Sequence, residues 1–207
     1  MPQSESNKKY SMSFTTGGLL FQESVTFAEL YSELGDWNSV QSKALETNAL
    51  QHRTINSAKR TCREIIGRLK TLTSEEIRLL IEGTRQEQIH ILWLAICKRY
   101  RFINDFAVEV IREKFLSFNN SLTRDDYDSF FNTKAEWHEE LNALTEATRN
   151  KLRQIAMKML REVGIISKSN TINPALLSPR FVNVILRDSR EFLAVFPVSD
   201  SDIKNVL

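Results

Sequence analysis

The only Gly-Gly pair of the chain, in Thr15-Thr16-Gly17-Gly18, is the first place where the sequence could bind a phosphate. A phosphate loop presents several backbone N–H groups ahead of a helix and, in nucleotide hydrolases, adds a lysine that reaches the phosphates. Here the apolar Leu19-Leu20-Phe21 follows, and the next basic residue is Lys43. The segment therefore predicts a tight turn that leads an apolar stretch into the core, not a nucleotide loop.

Metal or acid–base chemistry would need histidines and carboxylates at suitable spacing. His90 lies in the apolar run IHILWLAIC, which favours a hydrogen-bonded core residue. His138 stands in KAEWHEELN, after the acidic run Asp125-Asp126-Tyr127-Asp128. Carboxylates suit Mg²⁺ or Ca²⁺, but this run lacks the Gly and terminal Glu of a calcium loop, so a solvated acidic face is favoured. No GxSxG, HExxH, CxxC or dinucleotide fingerprint occurs, and we expect no catalytic residues, no cofactor and no metal.

Composition bounds the class of protein. The 207 residues are 42% hydrophobic and 26% charged, as in an ordinary globular protein, and the formal net charge is only +2. Cys62 and Cys97 fall on apolar helical stripes and are predicted to be buried and unpaired, as in a reducing cytoplasm. The longest apolar run is far shorter than a membrane span, which takes about 20 residues. We therefore expect a cytoplasmic protein without a membrane partner.

Basic residues are concentrated in two zones. Residues 50–70 hold six basic residues against the single acid Glu64, and residues 149–161 hold five against none. Residues 122–146 between them carry seven acids and two bases, and Lys98-Arg99-Tyr100-Arg101 forms a compact basic cluster. A charged helix face is often only solvated, but a basic strip beside an apolar stripe also suits contact with a polyanion.

The spacing of apolar residues and caps predicts an all-α fold, because helix signals follow one another with almost no strand pattern. Residues 1–9 are predicted to be a flexible tail and residues 10–207 a single all-helical domain, with possible sub-lobes 10–118 and 119–207. IISKSNTINPALL is predicted to contain a short extended stretch. The predicted helices are Ser24 to about Leu34, ended by Gly35; Asp36 to about Leu50; Thr54 to about Lys70; Thr73 to Gly83 and Thr84 through Cys97, each with a capping box; about Ile103 to Phe118; Thr123 to about Lys134; Thr145 to Gly164; and Ser178 to about Arg187.

The two helices from Asp36 to Lys70 have the proportions of a helix-turn-helix, in which the second helix enters the major groove of DNA. Around the helix from Thr54, the basic residues share one flank of the apolar stripe. The cluster at 98–101 and the outer face of the long helix add further candidates. The predicted DNA-binding residues are Arg53, Asn56, Lys59, Arg60, Arg63, Lys70, Lys98, Arg99, Arg101, Lys151, Lys158 and Arg161.

Five segments together resemble the BrxA family, a small core component of BREX (bacteriophage exclusion) systems. They are YSMSFTTGGLLFQES (10–24), SAKRTCREIIGRLKTL (57–72), RQEQIHILWLAICKRYRFINDFAVEV (85–110), NTKAEWHEELNALT (132–145) and INPALLSPR (172–180). The resemblance implies an all-helical fold similar to the antitermination factor NusB, with helix-turn-helix elements and a positive surface. It also implies DNA binding within a system that methylates host DNA and blocks phage replication, and it supplies no catalytic residues.

Three functions follow as expectations. The first is a non-enzymatic DNA-binding subunit of a BREX system, with duplex DNA and other BREX subunits as partners. The second is a protein–protein adaptor in which residues 123–146 dock another BREX subunit. The third is an RNA-binding protein similar to NusB. We expect a monomer rather than a homo-oligomer.

Overall fold

The computed structural model describes residues 9–206, with the side chains of 205 and 206 left aside. Residues 1–8 of the predicted tail and residue 207 lie outside this described part. Within it the secondary structure is helical apart from two isolated β-bridges, so the predicted all-α class is confirmed. The α-helices are α1 Phe21–Leu34, α2 Trp37–Glu46, α3 Ile55–Leu69, α4 Ser74–Glu82, α5 Arg85–Arg99, α6 Arg101–Phe106, α7 Glu113–Leu116, α8 Arg124–Ala135, α9 Glu139–Asn142, α10 Glu146–Val163, α11 Pro179–Asp188 and α12 Asp200–Val206.

Side-chain caps begin most of the longer helices, as the sequence predicts. Asp36 accepts from the N–H groups of Asn38 and Ser39, and Thr54 accepts from that of Ser57. Both predicted capping boxes form, at the starts of α4 and α5. Pro179 occupies the first turn of α11, whose cap is Ser178. These contacts satisfy N–H groups that a helix leaves without intrahelical partners.

Several predicted boundaries are wrong. α1 begins at Phe21, three residues before Ser24, because Leu20 adopts a left-handed conformation (φ 55°) and its carbonyl accepts from the Ser24 N–H at 2.9 Å. α2 ends at Glu46 rather than near Leu50. The helix predicted from Ile103 to Phe118 is α6, a π-helical segment Ala107–Arg112 and α7. α9, α12 and the 3₁₀ segment Arg190–Val195 are not in the sequence prediction.

α5 is the central helix, as predicted, and its residues from His90 through Cys97 are buried. It packs against α1, α3, α4, α6 and α10. Trp93 ties it to the C-terminal part of the chain, since its indole N–H donates to the Val195 carbonyl at 3.0 Å. One cluster of buried apolar side chains extends from Tyr10 to Ile203 through both possible sub-lobes. The boundary near residue 118 stays a prediction.

The segment after α10 is extended over a few residues only. Ile166 pairs with Ile172 in one antiparallel bridge, and Ser121 pairs with Thr171 in the other. The second bridge joins this segment to the residues just before α8. It thereby fixes the N-terminus of α8 beside the C-terminus of α10.

Candidate nucleic-acid interface

Helix α3 divides into a buried half and an exposed basic half. At 100° per residue its buried arc contains Ala58, Cys62, Ile65 and Leu69, all 5% exposed or less. The opposite arc is exposed, and its side chains are cationic or neutral polar. We call this exposed arc the α3 strip; its members are Arg53 (just before the helix), Asn56, Lys59, Arg60, Arg63 and Lys70.

The single acid of α3 does not oppose the strip. Glu64 is buried and accepts from the Arg68 Nε at 2.7 Å and from the Tyr100 hydroxyl at 2.7 Å. Burial, and then the Glu64 carboxylate, raise the pKa of Tyr100, so its hydroxyl stays a donor. Arg68 is also buried, which removes its charge from the surface. The exposed arc of α3 therefore carries no acid of its own.

Arg99 extends the strip from a neighbouring helix. Gly67 lies at the centre of the exposed arc, and a Cβ there would come within 2.5 Å of the Arg99 Cζ. The Arg99 Nη1 donates to the Gly67 carbonyl at 3.1 Å, so the guanidinium lies flat on α3. Glycine thus admits a further cation between Arg63 and Lys70. Only a position without a side chain allows this approach.

The strip cations are mostly free of carboxylates. Within residues 9–206, no ion pair joins Arg53, Lys59, Arg60, Arg63 or Lys70 to an acid. The Arg63 Nε donates to the Lys59 carbonyl at 3.3 Å, which holds its guanidinium along the helix axis. Unneutralised, exposed cations in a row are what a phosphate backbone requires.

The cations of the cluster at 98–101 divide between two places: Lys98 and Arg101 line one cavity, whereas Arg99 lies on Gly67 of α3. The Lys98 side chain is only 6% exposed, and its ammonium lies 2.6 Å from carboxylate oxygens of both Glu76 and Asp188. Arg101 lies 3.5 Å from the Asp105 carboxylate and stacks over the Tyr10 ring at 5.3 Å. Only Arg99 of the three cations joins the α3 strip, and we leave Lys98 and Arg101 out of the proposed interface.

The cations on the outer face of α10 have more intramolecular partners than those of the α3 strip. The Lys158 ammonium lies 3.6 Å from Glu162, and the Arg161 guanidinium donates to the Asn170 side chain at 2.6 Å. Lys151 is exposed and has no ion pair among the described residues. Arg153 instead turns towards α8, where it pairs with Asp128.

The helix pair α2–α3 departs from the expected proportions. Because α2 ends at Glu46 and α3 begins at Ile55, residues 47–54 connect them. A helix-turn-helix usually has a turn of about three to four residues. The entry of α3 into the major groove of DNA therefore stays a prediction. The exposure of the basic residues on α3 does not depend on a helix-turn-helix geometry.

A protein-family model described as BrxA matches residues 8–189. The chain belongs to the BrxA family. Proteins named "BREX protein BrxA" are similar to it: that of Escherichia coli O9:H4 (strain HS) is 28% identical over 72% of this chain and 70% of its own length. The one from Bacillus cereus (strain H3081.97) is 28% identical over 76% of this chain and 78% of its own length. The one from Paramagnetospirillum magneticum (strain ATCC 700264 / AMB-1) is 29% identical over 79% of this chain and 82% of its own length.

A solved structure has the same fold. It is titled as an uncharacterized protein from Magnetospirillum magneticum, and it superposes with a TM-score of 0.79 over 92% of this chain and 98% of its own. Its sequence identity is 22%, so the likeness concerns the fold alone.

The Gly-Gly segment of this BrxA-family chain is held by side chains from distant helices. Buried Arg68 donates to the carbonyls of Gly18 at 2.8 Å and Thr16 at 3.5 Å. Glu162 accepts from the Leu19 N–H at 2.5 Å, so a donor that a phosphate loop would use is already occupied. Gly17 has φ 73°, which favours glycine. A Cβ on Gly18 would lie 2.1 Å from the Glu162 carboxylate. Sequence spacing gave no sign of these two anchors.

His90, His138 and part of the acidic zone make hydrogen bonds and ion pairs within the protein, unlike the residues of a fully solvated face. His90 is a core residue as predicted; its Nε2 lies 2.7 Å from the Gln86 amide nitrogen, and burial lowers its pKa to about 4. His138 is buried and its Nδ1 lies 3.1 Å from Glu140, whose carboxylate also accepts from the Tyr10 N–H at 2.6 Å. Asp126 pairs with Lys114 at 2.8 Å.

Neither a metal-binding cluster nor a membrane-spanning helix occurs in the described part of the BrxA-family chain. No group of three or more His, Cys, Asp or Glu there is placed to hold a metal ion. No helix there is long and apolar enough to cross a membrane.

Proposed function

We propose that this BrxA-family protein is a non-enzymatic DNA-binding subunit of a BREX phage-defence system, where it supports host DNA methylation and phage restriction. The observation that carries the DNA-binding part is the α3 strip, a row of exposed cations without an exposed acid on the same helix. The relatives named BREX proteins support the assignment to that system. The protein would act by binding alone, without turnover of its own.

A row of cations along one helix binds the phosphate backbone first and sequence second. Lysine and arginine neutralise phosphates and release counterions, which gives affinity without a preference for particular bases. Asn56 and the arginines of the strip are residue types that also reach base edges. The proposed contact is therefore dominated by charge, with base reading confined to the N-terminal part of α3.

The test is a titration of labelled duplex DNA with the purified protein at two salt concentrations, read by fluorescence anisotropy. Binding that weakens steeply with salt supports the proposal. Unlabelled single-stranded RNA of equal length is the competitor that separates DNA binding from the RNA-binding alternative. Absence of DNA binding at low salt, or displacement by RNA at much lower concentration than by DNA, would contradict it.

A second function is favoured by one observation, the exposure of a large aromatic side chain, Trp137, among the acidic residues of 122–146. Trp137 is 82% exposed and is flanked by the exposed Glu136 and, two positions on, Glu139. Exposed aromatic residues are enriched where proteins bind each other. We propose that this surface contacts another BREX subunit. Trp137→Ala should weaken co-purification of the complex, whereas the matched change Phe118→Ala, at a residue 91% exposed beyond α7, should not.

A further inference from the structure

A cavity of about 300 Å³ lies where the start of α8 meets one face of α10, and the described residues that line it include none of the α3 strip. Helix α10 contributes Arg153, Met157 and Arg161 to one wall. Residues four apart on a helix project from the same face, so these three line the cavity with their side chains. The other wall is residues 122–124, and Asn170 also lines the cavity. Three separate segments of the chain therefore build it.

Hydrogen bonds between the segments hold the walls of the cavity in place. The Arg153 Nη1 donates to the Asp128 carboxylate of α8. The Arg161 Nη2 donates to the Asn170 side chain at 2.6 Å, and the Asn170 carbonyl accepts from the Leu122 N–H at 2.9 Å. Contacts at both ends of the α10 face thus fix its position relative to the start of α8.

The lining of the cavity is cationic. Arg124, Arg153 and Arg161 carry three formal positive charges, and no carboxylate is among the described residues that line the cavity. Asp128 is the acid that contacts these arginines, since it accepts from the Arg124 Nε at 3.3 Å and from Arg153. With this carboxylate counted against the three arginines, two positive charges remain. A multiply charged anion would therefore be attracted to the cavity.

Two of the three arginines are accessible to a ligand from solution. The Arg124 side chain is 65% exposed, and within the described part of the chain only its Nε has a partner. Arg161 is also exposed, and only its Nη2 has a partner there. A guanidinium has five N–H groups, so most of those of both arginines remain unpaired. Arg153 has a side chain only 13% exposed and bonds to Asp128 and Asn150, so it contributes mainly charge.

Part of the lining is apolar. Leu122 is 1% exposed and Met157 is 9% exposed, so they close the cavity on the side of the core. Gln154 is exposed, and its amide, which can donate and accept, has no partner among the described residues. An inorganic oxyanion would leave these three side chains without a contact. The lining instead suits an organic anion whose ring has an apolar face and polar edges.

We propose that this cavity binds one nucleoside monophosphate: its arginines hold the phosphate, and Met157 and Gln154 contact the base. Arginine binds phosphate through paired, charge-assisted hydrogen bonds. A methionine sulfur packs favourably against aromatic rings, and a side-chain amide can hydrogen-bond to the edge of a base. The volume is at the lower limit of the roughly 300–1,000 Å³ of small-molecule pockets, which fits one nucleotide and excludes a dinucleotide. The site does not depend on the DNA contact proposed for the α3 strip.

Isothermal calorimetry with the nucleoside 5′-monophosphates AMP, CMP, GMP and UMP, at physiological salt, tests the site. At least one should bind with a Kd on the order of 0.1 mM or tighter. The matching nucleoside and inorganic phosphate, titrated alone, should each bind at least about tenfold more weakly, because each makes only part of the contacts. Arg124→Gln and Arg161→Gln should each weaken nucleotide binding about tenfold. Lys151→Gln, a change of one charge on α10 outside the cavity, should leave the nucleotide affinity unchanged.

The proposal is overturned if none of the four nucleotides binds, if inorganic phosphate binds as tightly as the best of them, or if both arginine variants keep the wild-type affinity. Both replaced side chains are exposed, so the variants should keep the fold, which circular dichroism checks. A saturating amount of duplex DNA should leave nucleotide binding unchanged. Displacement of the nucleotide by DNA would overturn the proposal and assign the arginines to a DNA contact. Absence of nucleotide binding would leave the DNA titration of the α3 strip unaffected, so the two proposals fail separately.

Discussion

Neutralising the centre of the α3 strip should change how DNA binding responds to salt. The strip, with Arg99, presents six cations: Arg53, Lys59, Arg60, Arg63, Lys70 and Arg99. If all six meet phosphates, the slope of log affinity against log salt is about −5, because each contact contributes about 0.9. Replacing Lys59, Arg60 and Arg63 by glutamine should reduce the slope to about −3.

The difference is large enough for a direct titration. A fourfold rise in salt should cost the wild type about 2,000-fold in affinity and the triple variant about 40-fold. Anisotropy titrations at several salt concentrations give both slopes. The fold should survive, since the three side chains are exposed and glutamine is a good helix former. Circular dichroism checks this point.

The matched control removes three charges from α10 instead, as Lys151→Gln, Lys158→Gln and Arg161→Gln. It should leave the slope close to that of the wild type, because two of these side chains already have intramolecular partners. A folded α3 variant with an unchanged slope would refute the reasoning and remove the strip from the interface. A slope that falls only in the α10 variant would transfer the contact to that helix.

Three further predictions concern the interior. Arg68→Met should lower the free energy of unfolding by about 3–5 kcal/mol in urea titrations, since it leaves Glu64 charged, buried and without its cation. Adding Glu64→Leu should restore part of this loss. Equal free energies of unfolding for the single and the double variant would contradict the prediction. The pKa of His90 falls from 6.5 unfolded to about 4 folded, so the unfolded chain binds the proton more tightly. Stability should thus be full above pH 6.5 and drop by about 3 kcal/mol towards pH 4, a dependence that His90→Gln should flatten. Burial raises the pKa of both the Cys62 and Cys97 thiols. A thiol reagent should therefore label them only as fast as the protein unfolds. Rapid labelling of the native protein would count against this prediction.

The sequence predicted the helices well where local chemistry decides them. Caps such as Asp36 and Thr54 accept hydrogen bonds from N–H groups two or three residues away, so a stretch of a few residues is enough to predict them. The start of α1 was missed because Leu20, an apolar residue in a left-handed conformation, gives no capping signal. The short α9 was missed because four residues carry too little periodicity.

The sequence predicted which cations of the candidate interface are exposed on α3, but not which side chains from other helices contact the predicted cations. Helical spacing placed Lys59, Arg60 and Arg63 on one flank, and they are exposed in the structure. Spacing could not show that Lys98 is enclosed by Glu76 and Asp188, because both acids come from other helices. Nor could it show which glycine admits a distant arginine. Partners far apart in sequence leave no local pattern.

The anchoring of residues 10–19 has a consequence for synthesis. This segment is synthesised well before its partners, because its Tyr10 N–H bonds to Glu140 and its Leu19 N–H bonds to Glu162, 130 and 143 residues further on. At about 5–20 residues per second, the second partner is made roughly 7–30 s after Leu19. During that interval Phe14 and Leu19, which are buried in the folded protein, have no complete site to enter. Residues 10–19 thus dock completely only after residue 162 has been made, and a nascent chain stalled before that point exposes the apolar side chains of this segment to chaperones and proteases.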